Sequence, residues 1–238
     1  TGFDGTLPAS VLASGQRVNS AIYGDLGRMS ASVDALGHAT RYTYNSQGLV
    51  TGAVEYAAAV DTTLAGAALA GAVMGLSTAG ARASASVYDA NGNAIFAVDA
   101  LGRVTRSEYN ANGQAVRVTR FAATLAGRTA GSSFDGVLPS GFTEADARIT
   151  LTHYDADGRV AASVDELGFV TRYEHNAYGE MARVTRYAES VGARLAADDL
   201  GQALDTLFND SAAAAQARVS ATWYDRSGRA TCLVDALG

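Results

Sequence analysis

Seven aspartates recur at fixed positions of the sequence, and stacked carboxylates could coordinate calcium in a repeated β-structure. A repeating site of that kind needs several Asp and Gly ligands within about nine residues, a density that this chain does not have. We therefore predict that the carboxylates cap turns, with cation binding as the alternative. The aspartates are Asp34, Asp99, Asp165 and Asp235 in one series, and Asp89, Asp155 and Asp225 in a second.

The histidines and the cysteine do not form a metal or nucleophile pattern. His38, His153 and His175 hold different positions in the repeat, and none has a cysteine or carboxylate at metal-ligand spacing. No Gly-x-Ser-x-Gly elbow, P-loop or dinucleotide-binding motif occurs. We predict no catalytic residue, no cofactor and no metal. Cys232 is the single cysteine, which excludes an internal disulfide, and its position in the pattern predicts a buried thiol.

Tyrosines could form a stacking platform for sugars, which makes glycan binding an alternative function. Tyrosine is also a common strand residue that packs against neighbouring strands, and we favour that interpretation. The candidates are Tyr42, Tyr44, Tyr56, Tyr173 and Tyr187.

Two Arg–Glu pairs alternate along predicted strands. Arg106 shares a strand face with Glu108, and Arg172 shares one with Glu174. We predict solvated or neighbour-facing ion pairs, each worth less than about 1 kcal/mol if exposed, in preference to a binding site.

These residues belong to a unit that returns along the chain after 65, 66 and 70 residues. Each unit has an arginine, a tyrosine six positions later, and then a turn closed by glycine. The first copy is a variant, with Gly24 directly after its tyrosine. The repeated positions are Arg17, Arg82, Arg148 and Arg218, then Tyr23, Tyr88, Tyr154 and Tyr224, and then Gly92, Gly158 and Gly228.

Turn residues at intervals of 10 and 11 positions predict strands of about six residues between them. Apolar residues alternate with polar ones in these segments, so each unit is predicted to be a four-stranded antiparallel meander with one apolar face. We expect a mainly β, solenoid-like or shell-like array in which meanders stack sheet on sheet. A continuous apolar layer would then contain Val33, Val98, Val164 and Val234.

Segments rich in Ala, Gly and Leu join one meander to the next, and we expect them to cover the array as short helices or irregular chain. Leu200, Leu204, Leu207 and Phe208 have helical spacing. Asp198 or Asp199 would cap this helix. The first linker has a looser stripe, and its glycines weaken the helix prediction. That stripe consists of Leu64, Leu69, Val73 and Leu76.

Composition limits the choice of partner. The formal net charge of −6 and the lack of a basic run argue against nucleic acid. The longest apolar stretch, 64–76, is too short to span a bilayer of about 30 Å. We expect residues 1–238 to be one array cut from a longer chain, because both ends fall out of phase with the repeat. Its units would be 17–81, 82–147, 148–217 and an incomplete 218–238.

The turn motif resembles the YD repeat of Rhs proteins, in which Tyr-Asp-x-x-Gly-Arg is followed about ten residues later by Asp-x-x-Gly. Residues 154–159 with 165–168 match in full, as do residues 224–229 with 235–238; the copy at 88–92 departs only at Asn93. The resemblance implies long β-sheets that wind into shells, some enclosing a C-terminal toxin. It carries over no self-cleavage activity, because Pro8 and Pro139 both follow leucine rather than the aspartate of that motif.

The repeats and the resemblance together predict a non-enzymatic structural segment of a large secreted bacterial protein, located outside the cell or on its surface. The regular linkers favour an open filament, tube or sheath wall. A toxin-enclosing shell and a glycan-binding stalk are the alternatives. The expected partners are neighbouring repeats of the same chain and further copies of the protein.

Overall fold

The computed structural model describes residues 19–24, 26–125, 134–192 and 194–235. Fourteen antiparallel strands follow chain order in one sheet, so every strand pairs with its predecessor. The strands are β1 Ser20–Tyr23, β2 Met29–Val33, β3 His38–Tyr44, β4 Val50–Ala59, β5 Arg82–Tyr88, β6 Ala94–Val98, β7 Arg103–Tyr109, β8 Ala115–Thr124, β9 Arg148–Tyr154, β10 Val160–Val164, β11 Phe169–His175, β12 Met181–Ser190, β13 Arg218–Tyr224 and β14 Ala230–Val234. The helices are α1 Gly66–Met74, α2 Leu200–Phe208 and α3 Ser211–Gln216.

The predicted meanders are confirmed, and their last strand is longer than expected. Strands β1–β4, β5–β8 and β9–β12 form three complete meanders, and β13–β14 begin a fourth. Strands β4, β8 and β12 each have 10 residues, because no Asx-Gly turn interrupts them after the sixth.

The chain divides into two compact units. The first unit, Thr1–Val87 with Val98–Gly102 and Leu125–Asp135, has its core under helix α1. Leu69 and Val73 of α1 pack against the apolar face that carries Val33, Val54 and Tyr56.

The second unit, Tyr88–Ala97 with Arg103–Thr124 and Gly136–Gly238, has its core under helices α2 and α3. Leu204 of α2 is 1 % exposed and packs in one cluster with Ile149 and Leu151 of β9. The predicted helical stripe is thus correct: Leu200, Leu204 and Leu207 are all buried.

The expected stacking of meanders sheet on sheet is wrong. Meanders join edge to edge instead, since β4 pairs with β5, β8 with β9, and β12 with β13. The linkers take the place that a second sheet would have held, because their apolar residues cover the apolar sheet face. Val33, Val98 and Val164 are each at most 3 % exposed, whereas Val234 is 40 % exposed.

Two further expectations need correction. Cys232 is exposed, because no described linker covers strand β14. Asp199 is the N-cap of α2, but its backbone is already helical and its side chain makes no capping hydrogen bond. Asp210 caps α3 instead, accepting hydrogen bonds from Ala212 N and Ala213 N.

No helix in the described part of the chain is long and apolar enough to cross a membrane.

Candidate functional site

The repeated turn is built on one aspartate carboxylate. Asp155 Oδ1 accepts hydrogen bonds from the backbone N–H of Asp157 at 3.0 Å and of Arg159 at 2.8 Å. Asp155 Oδ2 accepts from Arg159 Nε at 2.8 Å. Gly158 then closes the turn with φ +78° and donates its N–H to Asp155 O. The Asp, Gly and Arg of the motif are therefore the parts of a single turn.

The same arrangement returns at the copies that begin at Tyr88 and Tyr224, whereas the first copy has Gly24 in place of the aspartate. Gly92 and Gly228 close their turns at φ +86° and +74°. Asp99 accepts from Leu101 N, and Asp235 directly follows β14. The other carboxylates that accept two backbone N–H groups are Asp34, Asp89, Asp165 and Asp225.

The predicted role of these aspartates as turn caps is supported by this geometry, whereas cation binding is not. Within the described ranges, no group of three or more His, Cys, Asp or Glu residues is placed to hold a metal ion. Asp34 does contact His38, at 3.3 Å between Oδ2 and Nδ1, a pairing that the spacing argument missed.

Turn hydrogen bonds lower the pKa of four of these carboxyls below its ordinary value. The backbone N–H of residue i+4 is the main cause for Asp34, Asp155 and Asp225, and the Asn93 side chain is the main cause for Asp89. Each hydrogen bond stabilises the ionised form, so the folded state binds fewer protons than the unfolded state.

We expect the free energy of unfolding to fall as the pH drops below about 5, because protonating these carboxylates favours the unfolded chain. Urea unfolding between pH 7 and pH 3 measures the dependence. Asp155→Asn should reduce the slope of this dependence, and Asp198→Asn, at an exposed aspartate outside the repeated turn motif, should not. Equal slopes in both variants would contradict the role of the turn carboxylates.

The tyrosine of the motif donates a hydrogen bond from its meander to the preceding meander. Tyr154 Oη donates to Ala115 O of strand β8 at 3.2 Å, and Tyr224 Oη donates to Met181 O of β12 at 2.9 Å. Tyr88 ends strand β5 at the equivalent position. Tyr23 lies on the first described strand and is 65 % exposed.

Tyr154→Phe is expected to lower the free energy of unfolding by about 1 kcal/mol, the usual net contribution of one such hydrogen bond. Tyr23→Phe is the matched control at the exposed copy and should have no measurable effect. The measurement is the urea midpoint of unfolding of both variants. Equal shifts would show that the inter-meander hydrogen bond does not contribute to the free energy of unfolding.

Three of the repeated arginines, Arg82, Arg148 and Arg218, start the first strand of their meander, opposite the long strand of the meander before. Arg82 lies opposite Glu55. Arg148 lies opposite Arg120, and Glu166 approaches both guanidinium groups, at 3.6 and 3.9 Å. Arg218 lies opposite Arg186. Arg17 falls outside the described residues.

In each complete meander, a glycine in the turn between the second and third strands accepts a hydrogen bond from the residue that follows the 10-residue fourth strand. Val60 N donates to Gly37 O at 2.9 Å, and Leu125 N donates to Gly102 O at 2.8 Å. Both glycines have positive φ, of +88° and +76°. A Cβ at either position would lie under 3.0 Å from a backbone oxygen, of Val60 or of Leu125 respectively. Val191 N repeats the bond to Gly168 O at 3.0 Å.

A nearly buried arginine joins strand and linker in the second unit, and the sequence argument missed it. Arg117 of β8 has a side chain that is 4 % exposed. Its Nη2 donates to Glu144 Oε2 at 2.7 Å, and its Nη1 donates to Glu144 Oε1 and to Glu108 Oε1, both at 3.0 Å. Its Nε donates to Leu195 O at 3.2 Å. Arg106 Nη2 completes the cluster, 2.7 Å from Glu108 and 2.8 Å from Glu144.

Glu144 belongs to the linker before β9, so this cluster fixes the linker to the sheet. The Arg117 guanidinium holds the pKa of Glu144 below its ordinary range, mainly through the hydrogen bond, and Glu144 in turn raises the pKa of Arg117. Arg194 adds donors from the next linker, to Glu144 O at 3.1 Å and to Ala145 O. The predicted solvated Arg106–Glu108 pair is therefore part of a half-buried network.

The third meander has the same residues in a looser cluster. Arg172 Nη2 lies 3.5 Å from Glu174 Oε1, and Arg183 Nε lies 3.7 Å from Glu174 Oε2. The side chains of the two arginines are 35 % and 53 % exposed. The Arg172 guanidinium also stacks on Phe208 of α2, 4.5 Å from the ring centroid.

The tyrosines proposed as a sugar platform are not brought together. Tyr56 and Tyr187 are buried under linkers, at 3 % and 7 % exposure. Tyr42 and Tyr173 bond serines on the opposite sheet face, and Tyr44 donates to Met29 O.

Comparison with known proteins finds one family model that matches part of the chain. Residues 154–189 match the family model described as RHS Repeat, and they run from the Tyr154 turn almost to the end of β12. No curated protein matches the sequence.

Several solved toxin structures have a similar fold. The crystal structure of TcdB2-TccC3-Cdc42 aligns with a TM-score of 0.58 and 14 % identity over 93 % of this chain and 9 % of that chain. The Photorhabdus luminescens Tc holotoxin pore, with a mutated TccC3, aligns with a TM-score of 0.58 and 14 % identity, over 91 % of this chain and 9 % of that chain. TcdB2-TccC3 without its hypervariable C-terminal region aligns with a TM-score of 0.57 and 14 % identity, over 91 % of this chain and 9 % of that chain.

The chain thus spans about a tenth of the length of the toxin chains it matches. A sequence identity of 14 % indicates a similar fold and nothing further. The resemblance to the Rhs or YD-repeat family is confirmed: residues 154–189 match the RHS Repeat model, and the chain has a mainly β fold similar to that of these solved structures.

Proposed function

We propose that this chain is a non-enzymatic wall segment of an Rhs-type shell. The observation that carries the proposal is the sheet itself, in which meander follows meander and the helices of the first and third linkers cover an apolar face. The repeated side chains of the motif make hydrogen bonds within the sheet, as Asp155 and Tyr154 do. The fold shared with the toxin structures supports a shell over other kinds of wall.

An open filament, tube or sheath wall outside the cell is the second candidate. It is favoured by the near-constant repeat of 65 to 70 residues, because equivalent units related by one screw operation build an open assembly. Further copies of the protein would be its partners. A glycan-binding stalk has less support, since the candidate tyrosines are buried or lie on opposite faces.

Electron microscopy of the intact parent protein, purified in its native form, tests the proposal. Closed hollow particles of fixed size are expected for the shell. Long uniform filaments or tubes would overturn the shell and establish the second candidate. Compact particles without an interior, together with hydrolase activity, would contradict both structural functions.

A further inference from the structure

One turn of each complete meander carries an exposed leucine. Leu36, Leu101 and Leu167 directly precede the glycine of the turn between the second and third strands. Their exposures are 62 %, 64 % and 73 %. Leu237 has the same position in the sequence of the fourth meander and falls outside the described residues. The chain thus has one such leucine for every four strands, and we call Leu36, Leu101 and Leu167 the leucine row.

The direction of the strands places the leucine row at one end of them. Because neighbouring strands are antiparallel, the turn between the second and third strands lies at the end from which the linkers leave and to which they return. We call this the linker end. The other two turns of each meander lie at the opposite end of the strands. Each end of the array therefore has its own class of turns, and the two classes can be compared.

The turn itself does not require a leucine. At the opposite end the residue before the glycine donates its N–H to the same kind of side-chain oxygen two positions earlier, as Asn91, Asn112 and Asp157 do. There its identity differs from turn to turn: it is Leu26, Gln47, Asn91, Asn112, Asp157, Tyr178 or Ser227. At the linker end it is leucine in all four copies. Turn formation therefore does not account for the leucine row.

The turn holds the backbone of these leucines in place. Leu36 N donates to Asp34 Oδ1 at 2.8 Å, and Leu167 N donates to Asp165 Oδ1 at 2.9 Å. The glycine that follows has positive φ and closes the turn on the other side of the leucine. A backbone that is already ordered loses little further conformational entropy on binding. The leucine row is therefore preorganised for a contact.

The linkers of the chain leave the leucine row open. The linker after the first meander, residues 60–81, and the linker after the third, residues 191–217 apart from residue 193, are both described, and Leu36 and Leu167 are exposed beside them. Leu167 lines an open depression of about 430 Å³ together with Ala147, Glu166, Gly192 and Arg194. Two linkers thus approach Leu167 without burying it.

The repetition of the leucine row indicates which partner it fits. Three leucine side chains bury less than the roughly 1,000 Å² that a stable protein interface needs, so the row can form a strong contact only by addition over many meanders. A partner with a single apolar site would meet one leucine and leave the others exposed. A surface with the same repeat meets every leucine at once, and the separate contacts reinforce one another. Among the turns, only the leucine row itself has this repeat and this apolar character.

We propose that the leucine row is a contact surface for the leucine row of a second copy of this chain. The two copies face each other with their linker ends and are related by a two-fold axis, so that the same surface serves on both sides. Leucine packs against leucine, and the turn aspartates keep their backbone hydrogen bonds. The contact needs only the repeated turn, so it does not depend on whether the wall belongs to a shell or to a tube.

Sedimentation equilibrium of the full chain at rising concentration measures this contact. We expect a reversible and weak monomer–dimer equilibrium that added salt does not weaken, because the contact is apolar. Leu36→Ser combined with Leu167→Ser should raise the dimer Kd about tenfold or more. The matched control combines Met74→Ser with Tyr178→Ser, which removes two equally exposed apolar side chains outside the leucine row and should leave the Kd unchanged.

Disulfide cross-linking locates the contact. Leu101→Cys combined with Leu167→Cys, in a Cys232→Ser background, should give covalent dimers when the protein is oxidised with diamide. The matched control has Asn112→Cys combined with Tyr178→Cys in the same background. These two residues are exposed at the equivalent turn position of the opposite end, and this variant should stay monomeric. Thermal unfolding of the reduced variants shows whether they fold alike.

Three results would overturn the proposal. A chain that stays monomeric up to millimolar concentration would remove the contact, even if the intact parent protein forms hollow particles. Association that is unchanged by the two leucine substitutions would place the contact elsewhere, for example in strand pairing at the first or last strand of the sheet. Equal cross-linking of the two cysteine pairs would show that the dimers come from random collisions.

Discussion

Gly102→Ala is expected to lower the free energy of unfolding by about 3 kcal/mol or more. A side chain at φ +76° costs about 1–2 kcal/mol in a left-handed conformation. The new Cβ would also lie under 3.0 Å from Leu125 O, so the chain must move and the hydrogen bond from Leu125 N to Gly102 O is strained or lost. That bond is worth about 1 kcal/mol.

Two other glycines give the matched comparison. Gly37→Ala should be as damaging, because its Cβ would meet Val60 O in the same way. Gly192→Ala has φ +89° but no atom within 4 Å of the new Cβ, so it should cost only about 1–2 kcal/mol from the backbone conformation. Urea unfolding measures all three, and a Gly192 effect equal to that of Gly102 would refute the clash.

Glu144→Ala is expected to destabilise the protein by about 2–3 kcal/mol. The substitution leaves the Arg117 guanidinium, 4 % exposed, without its bidentate partner, and breaking a buried pair in this way typically costs about 3–5 kcal/mol. We place the loss below that range because the Glu144 side chain is 34 % exposed and Glu108 still accepts from Arg117.

The third meander provides the control for this substitution. Glu174→Ala disrupts the half-exposed cluster and should cost less than about 1 kcal/mol. The double variant Arg117→Met with Glu144→Leu removes both charges and should recover most of the loss. Urea midpoints and proteolysis of the 134–147 linker are the measurements. A loss from Glu144→Ala no larger than from Glu174→Ala would show that the linker is held by apolar packing alone.

The turns and the α2 helix could be predicted from the sequence because they depend on local chemistry. Asp155 and Gly158 form their turn from residues within five positions, and Leu200, Leu204 and Leu207 lie on one helix face at any location. The alternation of apolar residues likewise predicted the apolar face of every meander.

The Arg117 cluster and the exposure of Cys232 could not be predicted in this way. Arg117 pairs with Glu144, 27 positions away, through a linker whose path has no periodic signal. Its position on the same strand face as Thr119 and Phe121 was the available clue, since an arginine on a buried face needs a carboxylate. Cys232 has the register of buried alanines, but its burial depends on a linker above it.

The pairing of each strand with its predecessor has a consequence for synthesis. A new hairpin emerging from the ribosome finds its neighbour already formed, and no earlier strand must wait for a distant partner. Sequence separation between partners stays short except across the linkers, which lowers the entropic barrier to each addition. A further meander can thus be added at the end of the sheet, during translation or by duplication of a repeat, without changing the pairing of earlier strands.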